Sequence, residues 1–285
     1  MSDIDCLRQL IRHHREAYLS GDAGWPWELV ILTAASRRQA GGYRAALQLR
    51  RNEGFLPPGA EVRVIHDLDE QRIGSGGATM QAAAEAVTLL GADDIEEAFS
   101  SSRVLVMHCG GDSKRIPQYS ATGKIFATFP ARLPSGRIST LFDEWLMALC
   151  GWAERLPVGL LAVSGDVLIT LDPDQLDFTR ADLTGVACPA PWQQAVRHGV
   201  YVTDQDGELT HFLQKPSPEA LRAVDGIADD GTALIDTGVM GLSPRLAADF
   251  ARMGGARSRD NGVEIASNTD VLRDPKTRGV EIDLY

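Results

Sequence analysis

Short runs that favour β-strands alternate with longer stretches of helical periodicity along the first two thirds of the chain. The strand-like runs cover residues 28–33, 62–67, 103–107 and 158–166. The helical stretches cover residues 3–19, 38–53, 78–90 and from 139 onward, and a GSGG segment at 74–77 forms a loop before the third of them. Because strands that alternate with helices form parallel sheets covered on both faces, we predict an α/β fold with a mostly parallel, Rossmann-like sheet and helices on both faces.

The last third of the chain has a different pattern. Residues 201–217 predict two strands around an Asp-Gly turn, which is the pattern of a hairpin. The rest of this part of the chain predicts a strand over 232–243, a helix over 244–253 and a final strand over 280–285. This mixture predicts a small mixed β subdomain at about 186–285, which would lay a lid or an acceptor pocket against the parallel sheet. No linker or repeat forces a second independent domain, so we predict one domain over 1–285.

Composition and charge exclude several classes of function. The formal net charge of -11 argues against a nucleic-acid partner and against a polybasic face for membrane binding. No apolar run approaches the length of a membrane span, and the polar start MSDID does not resemble a signal peptide. The four cysteines lack the spacing of metal ligands, so we expect reduced thiols in a cytoplasmic protein.

The segment HCGGDSKRIPQYSATGKIF, residues 108–126, directly follows the third strand-like run. Ligands bind at the carboxyl ends of the strands in parallel sheets, so this position favours a binding loop. Gly110 and Gly111 let the backbone approach a ligand closely, and Lys114, Arg115 and Lys124 offer donors to a polyphosphate. The loop is not a Walker motif, because Ile125 follows Gly123-Lys124 and Gln118 stands where the first glycine belongs.

The glycines of GSGGAT, residues 74–79, form a second candidate loop at the start of a helix. Their backbone N–H groups and the positive end of the helix could hold a phosphate. The segment does not fit the dinucleotide fingerprint, because Thr79 occupies the position of its last glycine. A simple tight turn is the alternative interpretation.

Several motifs occur in a fixed order along the chain: LTAAS (32–36), RIGSGGAT (72–79), the 108–126 segment, SGD (164–166), KPS (215–217), IDTGV (235–239) and EIDLY (281–285). This series resembles the L-fucose-1-phosphate guanylyltransferase (GDP-fucose pyrophosphorylase) family, including the guanylyltransferase part of bifunctional fucokinase/pyrophosphorylases. The resemblance implies a glycosyltransferase-A-like nucleotidyltransferase fold. It also implies that GTP and L-fucose 1-phosphate react to give GDP-L-fucose and pyrophosphate, with Mg²⁺ as cofactor.

The resemblance also implies roles for individual residues. Arg115 and Lys124 would hold the triphosphate, and Lys215 would contact the sugar phosphate. Asp166, at the end of a buried strand, and Asp283 would bind the metal, and Asp236 and Gly238 would line the sugar pocket. The nucleotide-binding residues would be Gly74, Gly76, Gly77, Thr79, Gly110, Gly111 and Ser113.

Less specific interpretations of these residues remain open. Asp166 could be an ordinary turn or capping residue, Asp283 and Lys215 could be surface charges, and the DTG motif could simply end a strand. The chain ends at Tyr285, where the family normally continues into further β structure and, in bifunctional forms, a kinase. We therefore expect those regions to be absent. The alternative functions are a sugar kinase and a nucleotide-binding module without catalysis, and nothing in the sequence indicates the oligomeric state.

Overall fold

The computed structural model describes residues 3–67, 73–111, 116–120, 122–152, 155, 157–259 and 262–265. The described residues fall into two compact units. The first contains the residues up to Thr184 and those from Gly241 onward, and the second contains residues 185–240. The assignment of one nucleotidyltransferase domain with a sugar-binding part at about 186–285 stays a prediction.

Helices and strands are interspersed along the described chain. The helices are α1 (Asp3–Ser20), α2 (Arg37–Asn52), α3 (Gly74–Leu89), α4 (Ile95–Ser100), α5 (Leu141–Gly151), α6 (Trp192–Ala195), α7 (Pro218–Ala223) and α8 (Pro244–Met253). The strands are β1 (Leu29–Ala34), β2 (Val62–His66), β3 (Arg103–His108), β4 (Thr128–Arg132), β5 (Ile138–Thr140), β6 (Gly159–Ser164), β7 (Leu183–Pro191), β8 (Gly199–Thr203), β9 (Leu209–Gln214), β10 (Thr232–Leu242), β11 (Ala256–Arg259) and β12 (Gly262–Ile265). None of the described helices combines the length and the apolar character that a membrane crossing requires.

The first unit is built on four parallel strands in the order β2-β1-β3-β6. All six residues of β1 are buried. Because successive side chains of a strand point to opposite faces, the sheet is covered on both sides. Helix α2 packs against β1 and β2, α3 packs against β1 and β3, and α8 packs against β6. The predicted α/β fold with a mostly parallel sheet is confirmed.

Helix α2 is joined to α5 by a buried ion pair. Arg50 is 2% exposed and Asp143 is fully buried, and Arg50 Nε donates to Asp143 Oδ1 over 2.7 Å. Arg137 Nη1 donates to the other carboxylate oxygen over 2.9 Å. Asp143 also belongs to a capping box with Thr140, which begins α5. The buried charges of Arg50 and Asp143 therefore both have partners of opposite charge.

Two predicted boundaries were wrong. The GSGG segment at 74–77 is not a loop, because α3 begins at Gly74. Gly76 and Gly77 are buried there, so close packing outweighs the low helix propensity of glycine. The helix expected from 139 begins at Leu141, after the short strand β5. The strand predicted at 280–285 lies outside the described residues.

The second unit contains antiparallel strand pairs. Strands β8 and β9 form the predicted hairpin, and β8 also pairs with β10, which β7 joins. The turn between β8 and β9 is held by Asp204, whose side chain accepts the backbone N–H groups of Asp206 and Glu208. Gly207 in this turn has a positive φ of 83°, which fits the predicted Asp-Gly turn.

Candidate functional site

Gly110, Gly111 and Asp166 follow the carboxyl ends of β3 and β6, which lie beside the carboxyl end of β1. In the parallel register Thr33 pairs with His108, and His108 pairs with Ser164. The loops that follow these strands therefore leave the sheet side by side. Gly110 and Gly111 follow β3, and the SGD motif ends β6, as the sequence predicts.

Lys124 and Asp166 form an ion pair at this edge of the sheet. Lys124 Nζ lies 2.6 Å from Asp166 Oδ2, and their side chains are 37% and 44% exposed. Ser164 Oγ donates to the other carboxylate oxygen over 2.9 Å. Partial burial raises the pKa of Asp166, but the hydrogen bonds from Lys124 and Ser164 and the charge of Lys124 outweigh it, so the pKa falls below its ordinary value. The carboxylate is therefore ionised at neutral pH.

Close backbone contacts explain two of the glycines. Gly165 N donates to His108 O over 2.9 Å, and a Cβ at Gly165 would lie 2.9 Å from that oxygen. A Cβ at Gly110 would lie 3.3 Å from the backbone nitrogen of Ala35, at the end of β1. Side chains at these positions would push the three strand-end loops apart.

The backbone of Lys124 rests on a buried cluster. Phe126 packs on Phe142 with ring centroids 5.3 Å apart, and the Arg50 guanidinium lies 4.7 Å from the Phe126 ring centroid. Arg50 is itself held by Asp143. The aromatic residue of the GKIF segment thus fixes the chain in the core, while Lys124 remains partly exposed at the sheet edge.

His108, at the end of β3, is not among the site residues predicted from the sequence, but it lies within the site. The Thr79 hydroxyl lies 2.8 Å from Ser75 O and 2.9 Å from His108 Nε2, within hydrogen-bonding distance of both. The contact with His108 ties the second turn of α3 to the end of β3. Thr79 is completely buried, and its contact with a nucleotide stays a prediction.

Three predicted site residues, Ser113, Arg115 and Asp283, lie outside the described residues, as does Lys114. Within the described ranges no group of three or more His, Cys, Asp or Glu side chains could hold a metal ion. Mg²⁺ can nevertheless be held by one or two carboxylates together with substrate phosphates and water. The ionised, exposed carboxylate of Asp166 is a donor of the right type, and the metal role stays a prediction.

The predicted sugar-binding residues lie in the second unit. Tyr201 OH and Gly238 N donate to Asp236 Oδ1 over 2.9 and 2.8 Å. Burial raises the pKa of Asp236 above its ordinary value, although both hydrogen bonds lower it. Lys215 is exposed and has a positive φ of 48°. The carboxylate of Asp236 is thus held by two hydrogen bonds within its own unit, and the contact of Lys215, Asp236 and Gly238 with a sugar phosphate stays a prediction.

Comparison with known proteins decides the family. The model of the fucose pyrophosphorylase domain matches residues 96–285, which is most of the chain. The chain belongs to the fucose pyrophosphorylase family. The resemblance inferred from the order of the motifs is confirmed.

Several curated proteins are similar to this member of the family. A bifunctional fucokinase/GDP-fucose pyrophosphorylase of Arabidopsis thaliana is 32% identical in an alignment that covers 80% of this chain and 24% of the relative. A fucose-1-phosphate guanylyltransferase of Mus musculus is 28% identical in an alignment that covers 72% of this chain and 36% of the relative. An L-fucokinase/L-fucose-1-P guanylyltransferase of Bacteroides fragilis is 30% identical in an alignment that covers 61% of this chain and 19% of the relative. The chain therefore spans only a minor part of the length of each.

Proposed function

We propose that the chain is a sugar-1-phosphate nucleotidyltransferase that converts GTP and L-fucose 1-phosphate to GDP-L-fucose and pyrophosphate. The observation that carries this proposal is the Lys124–Asp166 pair, which lies beside Gly110 and Gly111 at the carboxyl edge of the sheet. An ammonium group and a carboxylate therefore lie together at this edge, which supports a role for Lys124 at a phosphate and for Asp166 at a metal. Family membership and the names of the relatives support the choice of substrates.

The reaction asks for charge and alignment rather than for a general base. An oxygen of the sugar 1-phosphate forms a bond to the α-phosphorus of the triphosphate, and the bond from that phosphorus to the bridging oxygen breaks. Pyrophosphate leaves with the electron pair. A phosphate monoester is already ionised at neutral pH, so the protein lowers the barrier by holding both phosphates in line and by neutralising their charge.

Lys124 and Asp166 would each change partner when substrates bind. Asp166 would hold Mg²⁺, which supplies positive charge at the phosphate oxygens. Lys124 would leave the carboxylate and pair with a phosphate. Neither charge loses a partner in this exchange. Lys215, Asp236 and Gly238 would bind the sugar phosphate, as the resemblance implies.

The proposal is tested by measuring pyrophosphate release from the four nucleoside triphosphates with a panel of sugar 1-phosphates, with Mg²⁺ and with chelator. We expect turnover with GTP and L-fucose 1-phosphate that requires Mg²⁺. We also expect Asp166→Asn to abolish turnover while the fold is kept, as judged by circular dichroism and thermal unfolding.

Other outcomes would identify the competing functions. Formation of ADP from ATP and free L-fucose would indicate a sugar kinase. Binding of GTP with no pyrophosphate release under any condition would indicate a nucleotide-binding module. Full activity of Asp166→Asn would refute the assignment of this carboxylate to the metal.

A further inference from the structure

Two buried side chains on one face of α2 contact the ends of the loop between β3 and the GKIF segment. Gln39 is 4% exposed, and Tyr43, one helical turn later, is completely buried. The start of α2 is fixed by Ser36, whose hydroxyl accepts the Gln39 backbone N–H over 3.2 Å. Both side chains therefore project from a rigid part of the helix.

The Gln39 amide joins three backbone segments. Its Oε1 accepts the backbone N–H of Ala35 over 2.8 Å. Its Nε2 donates to Gly111 O and to Ser120 O, each over 3.2 Å. The Nε2 atom of Gln39 thus binds Gly111, three residues after β3, and Ser120, three residues before the GKIF segment.

Tyr43 makes a second pair of contacts with the same loop. Its hydroxyl donates to Cys109 O over 2.6 Å. Gly123 packs closely against the hydroxyl end of the Tyr43 side chain, since a Cβ at Gly123 would lie 2.2 Å from the Tyr43 hydroxyl oxygen. Gly123 has a positive φ of 72° and directly precedes Lys124. The position of Lys124 along the loop is therefore set at this contact.

Only a side-chain amide of this length can make all three hydrogen bonds of Gln39. The three contacts need one acceptor and two donors at the end of one side chain, and an amide supplies both. A buried amide without partners would be destabilising, and here both Nε2 hydrogens and Oε1 are engaged. Glutamate has the same size but offers only acceptors when it is ionised.

We propose that Gln39 and Tyr43, together called the loop anchor, are positioning residues for nucleotide binding. In the loop anchor the amide of Gln39 binds the carbonyls of Gly111 and Ser120. The phenol of Tyr43 binds the carbonyl of Cys109 and packs against Gly123. Gly110, Gly111 and Lys124 are thereby presented to the same ligand before it arrives. The inference rests on the proposed function, because it takes the nucleoside triphosphate to be that ligand.

The first test is steady-state kinetics of Gln39→Glu, which keeps the acceptor for Ala35 and removes both donors to the loop. We expect the KM for GTP to rise about tenfold or more, because loop ordering would then oppose nucleotide binding. We expect kcat and the KM for the sugar phosphate to change less than about threefold, because the bound geometry is the same. The matched control is Gln48→Glu on the same helix, since Gln48 is exposed and its amide donates to Asn52, one helical turn later, rather than to the loop.

Tyr43→Phe provides a second variant that preserves packing and removes only the hydroxyl. It should raise the KM for GTP in the same direction, by about threefold to tenfold. A purely structural role would lower the unfolding temperature of both variants and leave the KM for GTP unchanged. That result would overturn the proposal.

Hydrogen exchange tests the loop anchor without any ligand. The amides of Tyr119, Ser120 and Gly123 donate to backbone carbonyls within the loop. They should exchange about tenfold faster in Gln39→Glu and at the wild-type rate in Gln48→Glu. If the wild type releases no pyrophosphate, the proposed function fails, and the exchange rates together with direct GTP binding decide the loop anchor. Unchanged exchange in both loop-anchor variants would overturn it.

Discussion

Replacing Lys124 by Met separates what its charge does for stability from what it does for activity. Lys124 Nζ lies 2.6 Å from Asp166 Oδ2, but both side chains are more than a third exposed. Ion pairs exposed to this degree contribute about 0.2–1 kcal/mol, because water screens them and two long side chains must be ordered. The Met variant keeps the apolar stem of the side chain. Its free energy of unfolding should therefore fall by less than about 1 kcal/mol.

The expected loss of activity is much larger. A charge-assisted hydrogen bond to a phosphate contributes about 1.5–3 kcal/mol. At about 1.4 kcal/mol for each factor of ten, kcat/KM should fall about 10- to 150-fold. Pyrophosphate release and urea unfolding are measured on the same preparations, so that the two effects can be compared directly.

Arg155→Met is the matched control for Lys124→Met. Arg155 pairs with Asp174 over 2.5 Å, and these side chains are 50% and 72% exposed. Its loss should change stability as little as the loss of Lys124 and should leave kcat/KM unchanged. If Lys124→Met keeps near-normal kcat/KM, or loses activity only in proportion to stability, the placement of Lys124 at the phosphates is wrong.

Two further predictions concern the buried carboxylate of Asp143 and the partly buried carboxylate of Asp236. Asp143→Ala leaves the buried Arg50 without its main partner and should lower the free energy of unfolding by about 3–5 kcal/mol, against less than about 1 kcal/mol for Asp174→Ala. Urea unfolding measures both, and equal losses would contradict the prediction. Burial raises the folded pKa of Asp236, so the stability that this group contributes is complete below its unfolded pKa of about 4 and is lost as the pH rises through the folded pKa. Asp236→Asn should thus be at least as stable as wild type at pH 7, with the difference vanishing near pH 4. The unfolding temperatures of both proteins are measured from pH 4 to pH 7. A wild type that becomes more stable than Asp236→Asn as the pH rises would contradict the prediction.

The elements that the sequence predicts well share strong local patterns. The run at 28–33 corresponds to β1, shifted by one residue, and such a short apolar run is typical of a parallel strand that is covered on both faces. The helix at 244–253 has its predicted bounds, since Ser243 caps it and Pro244 begins it. The hairpin of β8 and β9 follows from its Asp-Gly turn. In each case neighbouring residues carry the signal.

The features that the sequence does not predict depend on contacts between distant residues. The glycines of the GSGG segment favour a loop, but burial of Gly76 and Gly77 makes it the first turn of α3. Gln39 looks like any polar residue on a helix, and its partners Gly111 and Ser120 lie 72 and 81 positions away. His108 lacks ligand spacing, and its partner is the hydroxyl of Thr79. No local pattern indicates such pairs.

The Lys124–Asp166 pair shows how chemistry and topology together locate part of the site. The two residues lie 42 positions apart, and only the parallel order of β3 and β6 brings their loops together. The resemblance assigns Lys124 to the negatively charged triphosphate and Asp166 to the positively charged metal. In the structure the two side chains form an ion pair with each other. Because an exposed ion pair contributes little free energy, ligands that bind Lys124 or Asp166 more strongly would break it. A phosphate alone would take Lys124 and leave an ionised carboxylate beside an anion, which is unfavourable. A phosphate that arrives with a divalent cation would satisfy both residues, and the pair is therefore suited to a metal–nucleotide complex rather than to a free anion.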